Sequence, residues 1–84
     1  MAKVQYFHGN MTPVTGIEHA DKAQVIMADG SIAVQASLVY GIWHYSTGST
    51  SQTRLASSTI EMELILRDYI AAVNAGLTSE TIRE

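Results

Sequence analysis

The sequence predicts an α+β fold, in which a small antiparallel sheet of three to four strands packs against one C-terminal helix. Two observations lead to this prediction. The dipeptide Asp29-Gly30 separates two segments whose apolar residues alternate, which is the pattern of a β-hairpin. Residues 59–75 instead repeat apolar side chains every three or four positions, as an amphipathic helix does. The chain has 84 residues, and residues 1–84 are expected to form one domain.

The first predicted strand runs from Lys3 to His8, where apolar and polar side chains alternate. Gly9-Asn10 has turn chemistry and ends that strand. Residues 11–21 follow neither the strand period nor the helix period, so they are predicted to form a loop. The prediction for this loop allows a short edge strand near Val14 or Ile17.

The hairpin is predicted to turn through a two-residue type I′ loop, because Asp29 and Gly30 tolerate the positive φ that both positions need. Val25 and Val34 would then share the buried face of the sheet, while Gln24 and Gln35 lie on the other face. The expected cross-strand pairs are Met27 with Ile32, Val25 with Val34, and Gln24 with Gln35.

The second hairpin strand is predicted to continue as far as Tyr45. That length is unusual for a strand, so a bulge or bend is expected near Ser37 or Gly41. A helix over residues 32–44 is the competing interpretation, since some apolar residues also repeat every fourth position. We prefer the strand because β-branched and aromatic residues dominate and a glycine interrupts the segment.

The C-terminal helix is predicted to span Thr59 to Ala75. Ser58 would cap it by accepting from the Glu61 amide, while the Glu61 carboxylate returns to the amide of the capping residue. Gly76 would take the left-handed position after the helix, with Leu77 as the closing apolar contact. The remaining residues, 78–84, would add a short turn or fray.

This helix carries two apolar stripes. The broader one suits a sheet and comprises Met62, Ile65, Leu66, Tyr69, Ile70 and Val73. The narrower one lies on the opposite side and comprises Ile60, Leu64, Ala71 and Ala75. A single thin sheet covers only one stripe, so the second is predicted to be a homo-oligomer interface with another copy of the chain.

The composition of the chain argues against several classes of function. The net charge is −3 and the five basic residues are scattered along the chain, which argues against nucleic acid as the partner. There is no cysteine, so neither a disulfide nor a thiolate metal site is expected. The first residues lack the apolar core of a signal peptide, and no segment is long and apolar enough to span a bilayer. These features predict a soluble, cytoplasmic protein without a membrane partner.

No catalytic or metal-binding constellation is visible in the sequence, and no cofactor is expected. The three histidines are far apart, and His19 beside Glu18 and Asp21 is interpreted as part of a solvated loop. Trp43, His44 and Tyr45 are interpreted first as core or subunit interface, and second as the wall of a ligand site.

The hydroxyl-rich segment before the helix is the strongest candidate for binding a small ligand. It provides hydroxyl groups, backbone amides and one fixed positive charge near the start of a helix, and these groups can bind an anion. The residue spacing of a P-loop is absent. The candidate ligand-binding residues are Trp43, His44, Tyr45, Thr47, Gly48, Ser49, Thr50 and Arg54.

These observations favour a non-enzymatic, homo-oligomeric binding module that modulates or inhibits a protein partner, as small acidic accessory proteins of phages and plasmids do. The alternative is a small-ligand binding or sequestering protein that holds a phosphate-bearing molecule, such as a nucleotide, at the hydroxyl-rich segment. An enzyme assembled across a subunit interface ranks third.

Overall fold

The computed structural model describes residues 2–47 and 52–76. Six strands precede a single α-helix. They are β1 (Lys3–His8), β2 (Thr12–Val14), β3 (Lys22–Ile26), β4 (Ile32–Val39), β5 (Ile42–Thr47) and β6 (Arg54–Ala56), with a 3-10 helix at Ile17–His19 between β2 and β3 and the helix α1 at Thr59–Asn74. The α+β class and the single C-terminal helix are therefore confirmed.

All six strands form one antiparallel sheet in the order β2-β1-β3-β4-β5-β6. The predicted number of three to four strands was too low for three reasons. The chain around Val14 does form a short edge strand, the long segment after Ile32 folds into two strands, and Arg54–Ala56 pairs with β5 as a second edge strand. Each edge strand is only three residues long.

The first hairpin turns differently from the prediction. Gly30 has φ +89, but among the described residues Asp29 is not one of those with positive φ, so the turn is not type I′. Gly30 N–H donates to Met27 O at 2.9 Å, and Met27 N–H donates to Ser31 O at 2.8 Å. These two bonds enclose a three-residue loop, Ala28–Gly30, with its glycine in the left-handed conformation.

This loop changes the register of the hairpin. Val25 lies opposite Val34 and Gln24 opposite Gln35, as predicted, but Ile26 replaces Met27 as the partner of Ile32. A bulge beside Val25 takes up the extra residue. Ile32 consequently lies on the open face of the sheet, 46% exposed, and not in the core.

A second hairpin replaces the predicted long strand. Val39 pairs with Ile42, so only Tyr40 and Gly41 connect β4 to β5. Their φ angles are 51 and 79, which is the type I′ combination that we predicted for Asp29-Gly30. The expected interruption near Gly41 is therefore a complete reversal of the chain.

The helix begins and ends almost as predicted. Ser58 Oγ accepts from Glu61 N–H at 3.1 Å, but the Glu61 carboxylate accepts from Ser57 N–H at 2.6 Å, one residue earlier than the predicted capping box. Gly76 has φ +92 and donates to Val73 O at 2.9 Å, which terminates α1 after Asn74. Leu77 and residues 78–84 lie outside the described residues.

The core lies between one face of the sheet and α1. Its largest fully buried side chains are Trp43, Met62, Leu66, Val25 and Val34. The helix packs against β1, β5, β6 and the 3-10 helix. Asn74 Oδ1 accepts from Ala2 N–H at 3.1 Å and holds the start of the chain against the end of the helix.

Candidate binding surfaces

The predicted aromatic site is divided between the two faces of the sheet. Trp43 is fully buried and Tyr45 is 4% exposed, both on the side that α1 covers. Trp43 Nε1 donates to Thr59 Oγ1 at 3.1 Å, which joins β5 to the first turn of the helix. His44 lies on the opposite, open face, paired in register with Ser37 and Leu55. The three residues therefore do not form one ligand-contacting wall in this structure.

The hydroxyl-rich segment is described only at its two ends. Thr47 is the last residue of β5 and Arg54 the first residue of β6, so both belong to the sheet. Arg54 lies opposite Tyr45 in the strand pairing and is exposed. Gly48, Ser49 and Thr50, the centre of the predicted anion site, lie outside the described residues.

The predicted interface stripe of α1 faces away from the sheet. Ile60 is 73% exposed and Leu64 is 51% exposed, and Ala71 and Ala75 are exposed as well. The opposite stripe contains the buried residues Met62, Leu66 and Tyr69. The helix therefore has the two sides that the sequence pattern indicated, with its own sheet covering one of them.

A shallow depression that the sequence did not indicate lies at one end of the sheet. Its volume is about 560 Å³. Apolar side chains supply part of its wall, and polar or titratable ones supply the rest. The lining residues are His8, Thr12, Val14, Glu18, His19, Ala20, Asp21 and Leu38.

The Asp21 carboxylate makes several polar contacts beside this depression. Its two carboxylate oxygens accept from the Gly9 amide at 3.2 and 3.1 Å, while Lys22 Nζ lies 3.6 Å and His8 Nδ1 3.8 Å away. The hydrogen bonds from Gly9, followed by the positive charge of Lys22, lower the pKa of the Asp21 carboxyl. Asp21 thus stays ionised and fixes the left-handed turn at Gly9, where φ is 62.

The histidines and acids near this depression do not converge on one point. Across residues 2–47 and 52–76, no group of three or more such side chains is placed to hold a metal ion. The His8 side chain is 65% exposed, and its 3.8 Å separation from Asp21 is longer than a hydrogen bond. The geometry therefore does not pre-organise this pair for acid-base chemistry.

The tip of the second hairpin is the most exposed apolar element described. Tyr40 is 100% exposed, and the flanking Val39 and Ile42 are 43% and 40% exposed. Tyr40 also has φ 51, a left-handed conformation that is costly for a side chain of this size. We define Val39–Ile42 as the Tyr40 tip. This tip departs from ordinary turn chemistry, and the Tyr40 ring is fully exposed among the residues that the structure describes.

Comparison with protein-family models, with curated proteins and with solved structures gave no significant match. In the described part of the chain, no helix has the length and apolar character that crossing a bilayer requires.

Proposed function

We propose that this protein is a non-enzymatic binding module that forms homo-oligomers and modulates or inhibits a protein partner. The observation that supports the proposal is the outer stripe of α1, where Ile60 is 73% and Leu64 51% exposed. A helix that is apolar on two sides is normally buried on both. In the proposal, a second copy of the chain covers the outer stripe.

The outer stripe suits contact with an equivalent helix. Ala71 continues the line of Ile60 and Leu64 along the helix, and its small side chain permits a close approach. Arg67 and Asp68 carry opposite charges beside the stripe, so an antiparallel second helix can pair each with its counterpart. The contact is then isologous, with the same patch on both subunits.

The chain offers a matched pair of leucines for testing this interface. Leu64 on α1 is 51% exposed, and Leu55 on the opposite side of the molecule is 60% exposed. Leu64→Glu should dissociate the oligomer, because each subunit loses about 1.5 to 3 kcal/mol of apolar burial. For a symmetric dimer this raises the dissociation constant about 100-fold or more. Sedimentation velocity over a concentration series measures this change.

Leu55→Glu is the control, because it places the same charge on the other face. It should leave the sedimentation mass unchanged. If Leu64→Glu keeps the circular dichroism spectrum and the mass of the wild-type protein, the stripe is ordinary surface and the proposal fails. A loss of mass in Leu55→Glu alone would move the interface to the open face of the sheet.

Native mass spectrometry separates the proposed function from its alternative. A bare oligomer supports the binding module. A retained nucleotide or other phosphate-bearing molecule would favour the ligand-sequestering function instead, for which the described residues supply no assembled site.

A further inference from the structure

One segment of the sheet lies between two anchored parts of the chain. We define residues 9–16 as the β2 arm, which comprises β2 and the connections before and after it, with a glycine at each end. Before the arm, Val4 and Tyr6 of β1 pack against the core. After it, Ile17 in the 3-10 helix is 5% exposed. The β2 arm can therefore move only as a loop whose two ends stay in place.

Few interactions hold the β2 arm against the sheet. β2 pairs with β1 at three positions, and as the outermost strand it has no second neighbour in the described sheet. Val14 is the only residue of the arm among the apolar residues that pack against the core. Met11 is 42% exposed and has φ 64, a left-handed conformation that costs energy in a residue with a Cβ atom. Segments with so few buried contacts open at a low free energy.

The first peptide group of the arm is held by the start of β3. Gly9 N–H donates to both Asp21 carboxylate oxygens, at 3.2 and 3.1 Å, and Lys22 Nζ donates to Gly9 O at 3.2 Å. The Asp21 backbone is itself fixed in the sheet, because its N–H donates to Phe7 O at 2.9 Å and its carbonyl accepts from Leu38 N–H at 2.8 Å. A firmly bonded part of the sheet thus holds one end of a weakly bonded segment.

We propose that the β2 arm opens as a unit while the rest of the sheet stays folded, and that the Asp21 carboxylate holds it closed. β2 covers residues 6–8, which are half of β1. Opening removes this cover, so the outer strand on this side of the sheet grows from three residues to six. The inference goes beyond the proposed function, because it assigns a conformational change to the sheet and does not depend on the outer stripe of α1.

The composition of the core explains why such an opening stays local. The largest fully buried side chains come from β3, β4, β5 and α1, and they are Val25, Val34, Trp43, Met62 and Leu66. None of them belongs to the β2 arm. Opening the arm leaves their packing intact, whereas global unfolding exposes all of them. Local opening therefore costs less free energy than global unfolding.

Native-state hydrogen exchange of the full chain tests the inference. Protection of the amides that join β2 to β1 should be about 100-fold or more lower than that of the most protected amides in β3 and β4. Low concentrations of denaturant should leave exchange of the arm amides unchanged, because local opening exposes little surface. The β3 and β4 amides exchange through global unfolding, so their exchange should accelerate with denaturant.

Two aspartates at opposite ends of β3 provide a matched pair of variants. Asp21→Ala removes both acceptors of the Gly9 amide and should accelerate exchange of the arm amides about tenfold. Asp29→Ala removes the carboxylate that accepts from Ser31 in the first hairpin turn. That turn remains intact when the β2 arm opens. Asp29→Ala should therefore accelerate exchange of the β3 and β4 amides and leave exchange of the arm amides unchanged.

Two results would overturn the inference. One is that the arm amides of the unmodified protein share the protection and the denaturant dependence of the β3 and β4 amides, in which case the β2 arm opens only in global unfolding. The other is that Asp21→Ala leaves exchange of the arm amides unchanged, or that Asp29→Ala accelerates it equally. In that case Asp21 does not hold the arm closed.

Discussion

The two hairpin turns of this sheet lie at opposite ends and are built in opposite ways. At the first, Ser31 N–H and Oγ–H donate to Asp29 Oδ1 at 2.9 and 2.6 Å, and Gly30 supplies the left-handed residue. At the second, no glycine or asparagine occupies the first turn position. Tyr40 occupies it with φ 51 and full exposure.

The difference separates a turn whose residues suit its backbone conformation from a turn whose first residue does not. At the Asp29 turn, the hydrogen bonds between Ser31 and Asp29 and the left-handed Gly30 favour the local conformation, as expected of a sequence without competing demands. The Tyr40 turn departs from local preference, and no packing of its ring within residues 2–47 and 52–76 compensates. Such departures are concentrated at functional sites.

The largest expected effect comes from breaking the first turn. Gly30→Val should lower the free energy of unfolding by about 2 kcal/mol or more, because a β-branched residue is strained at positive φ. Beyond its two chain neighbours, a Cβ at Gly30 meets no described atom within 4 Å, so the cost comes from the local backbone conformation. Chemical denaturation measures the change. Ala28→Val, at an exposed position of the same loop without positive φ, should stay within about 0.5 kcal/mol.

A smaller effect of opposite sign is expected at the second turn. In dilute solution Tyr40→Asn should raise the free energy of unfolding by up to about 1 kcal/mol, because it relieves the left-handed strain. Chemical denaturation of both proteins at the same low concentration measures the difference. A wild-type chain that is the more stable one in dilute solution would contradict the strain argument.

The smallest effect concerns acid. The Ser31 hydroxyl and amide, which donate to Asp29, lower the pKa of its carboxyl below its ordinary value of 3.8. When folding lowers the pKa of a carboxyl group, the ionised carboxylate stabilises the folded protein at pH values above the ordinary pKa. This stabilisation is lost as the pH falls through the pKa of the folded protein. The stability gap between wild-type protein and Asp29→Asn should therefore narrow when the pH is lowered from 6 toward 2. No such convergence is expected for Tyr40→Asn.

Local sequence patterns predicted the elements whose signals are local. The helix followed from its apolar period, from Ser58 and from Gly76, and each of these acts within a few residues. The first hairpin was placed correctly, but its register depended on whether two or three residues form the loop. Asp29-Gly30 occurs in both kinds of loop, so the dipeptide did not distinguish them.

The second hairpin and the depression were missed for different reasons. Tyr40-Gly41 interrupts an apolar segment without polar turn residues, so only the glycine indicated a break. The depression brings together His8, Val14, Asp21 and Leu38, which are far apart in the chain. Hydrophobic periodicity does not indicate contacts between residues that are far apart in the chain. Burial of Trp43 agrees with the first interpretation of the aromatic cluster as core. The division of the cluster between the two faces of the sheet follows from the alternation along β5, which begins only after the turn that the sequence analysis missed.

The short outer strands, β2 and β6, limit how copies of this chain can join. Three residues offer too little unpaired backbone for another strand to add to the ladder, and Pro13 removes one of the donors from β2. Open-ended growth into fibres through continuous backbone hydrogen bonding is thereby disfavoured. Pairing of copies through the sheet edges is thereby disfavoured, which leaves side-chain surfaces such as the outer stripe of α1 for the proposed association.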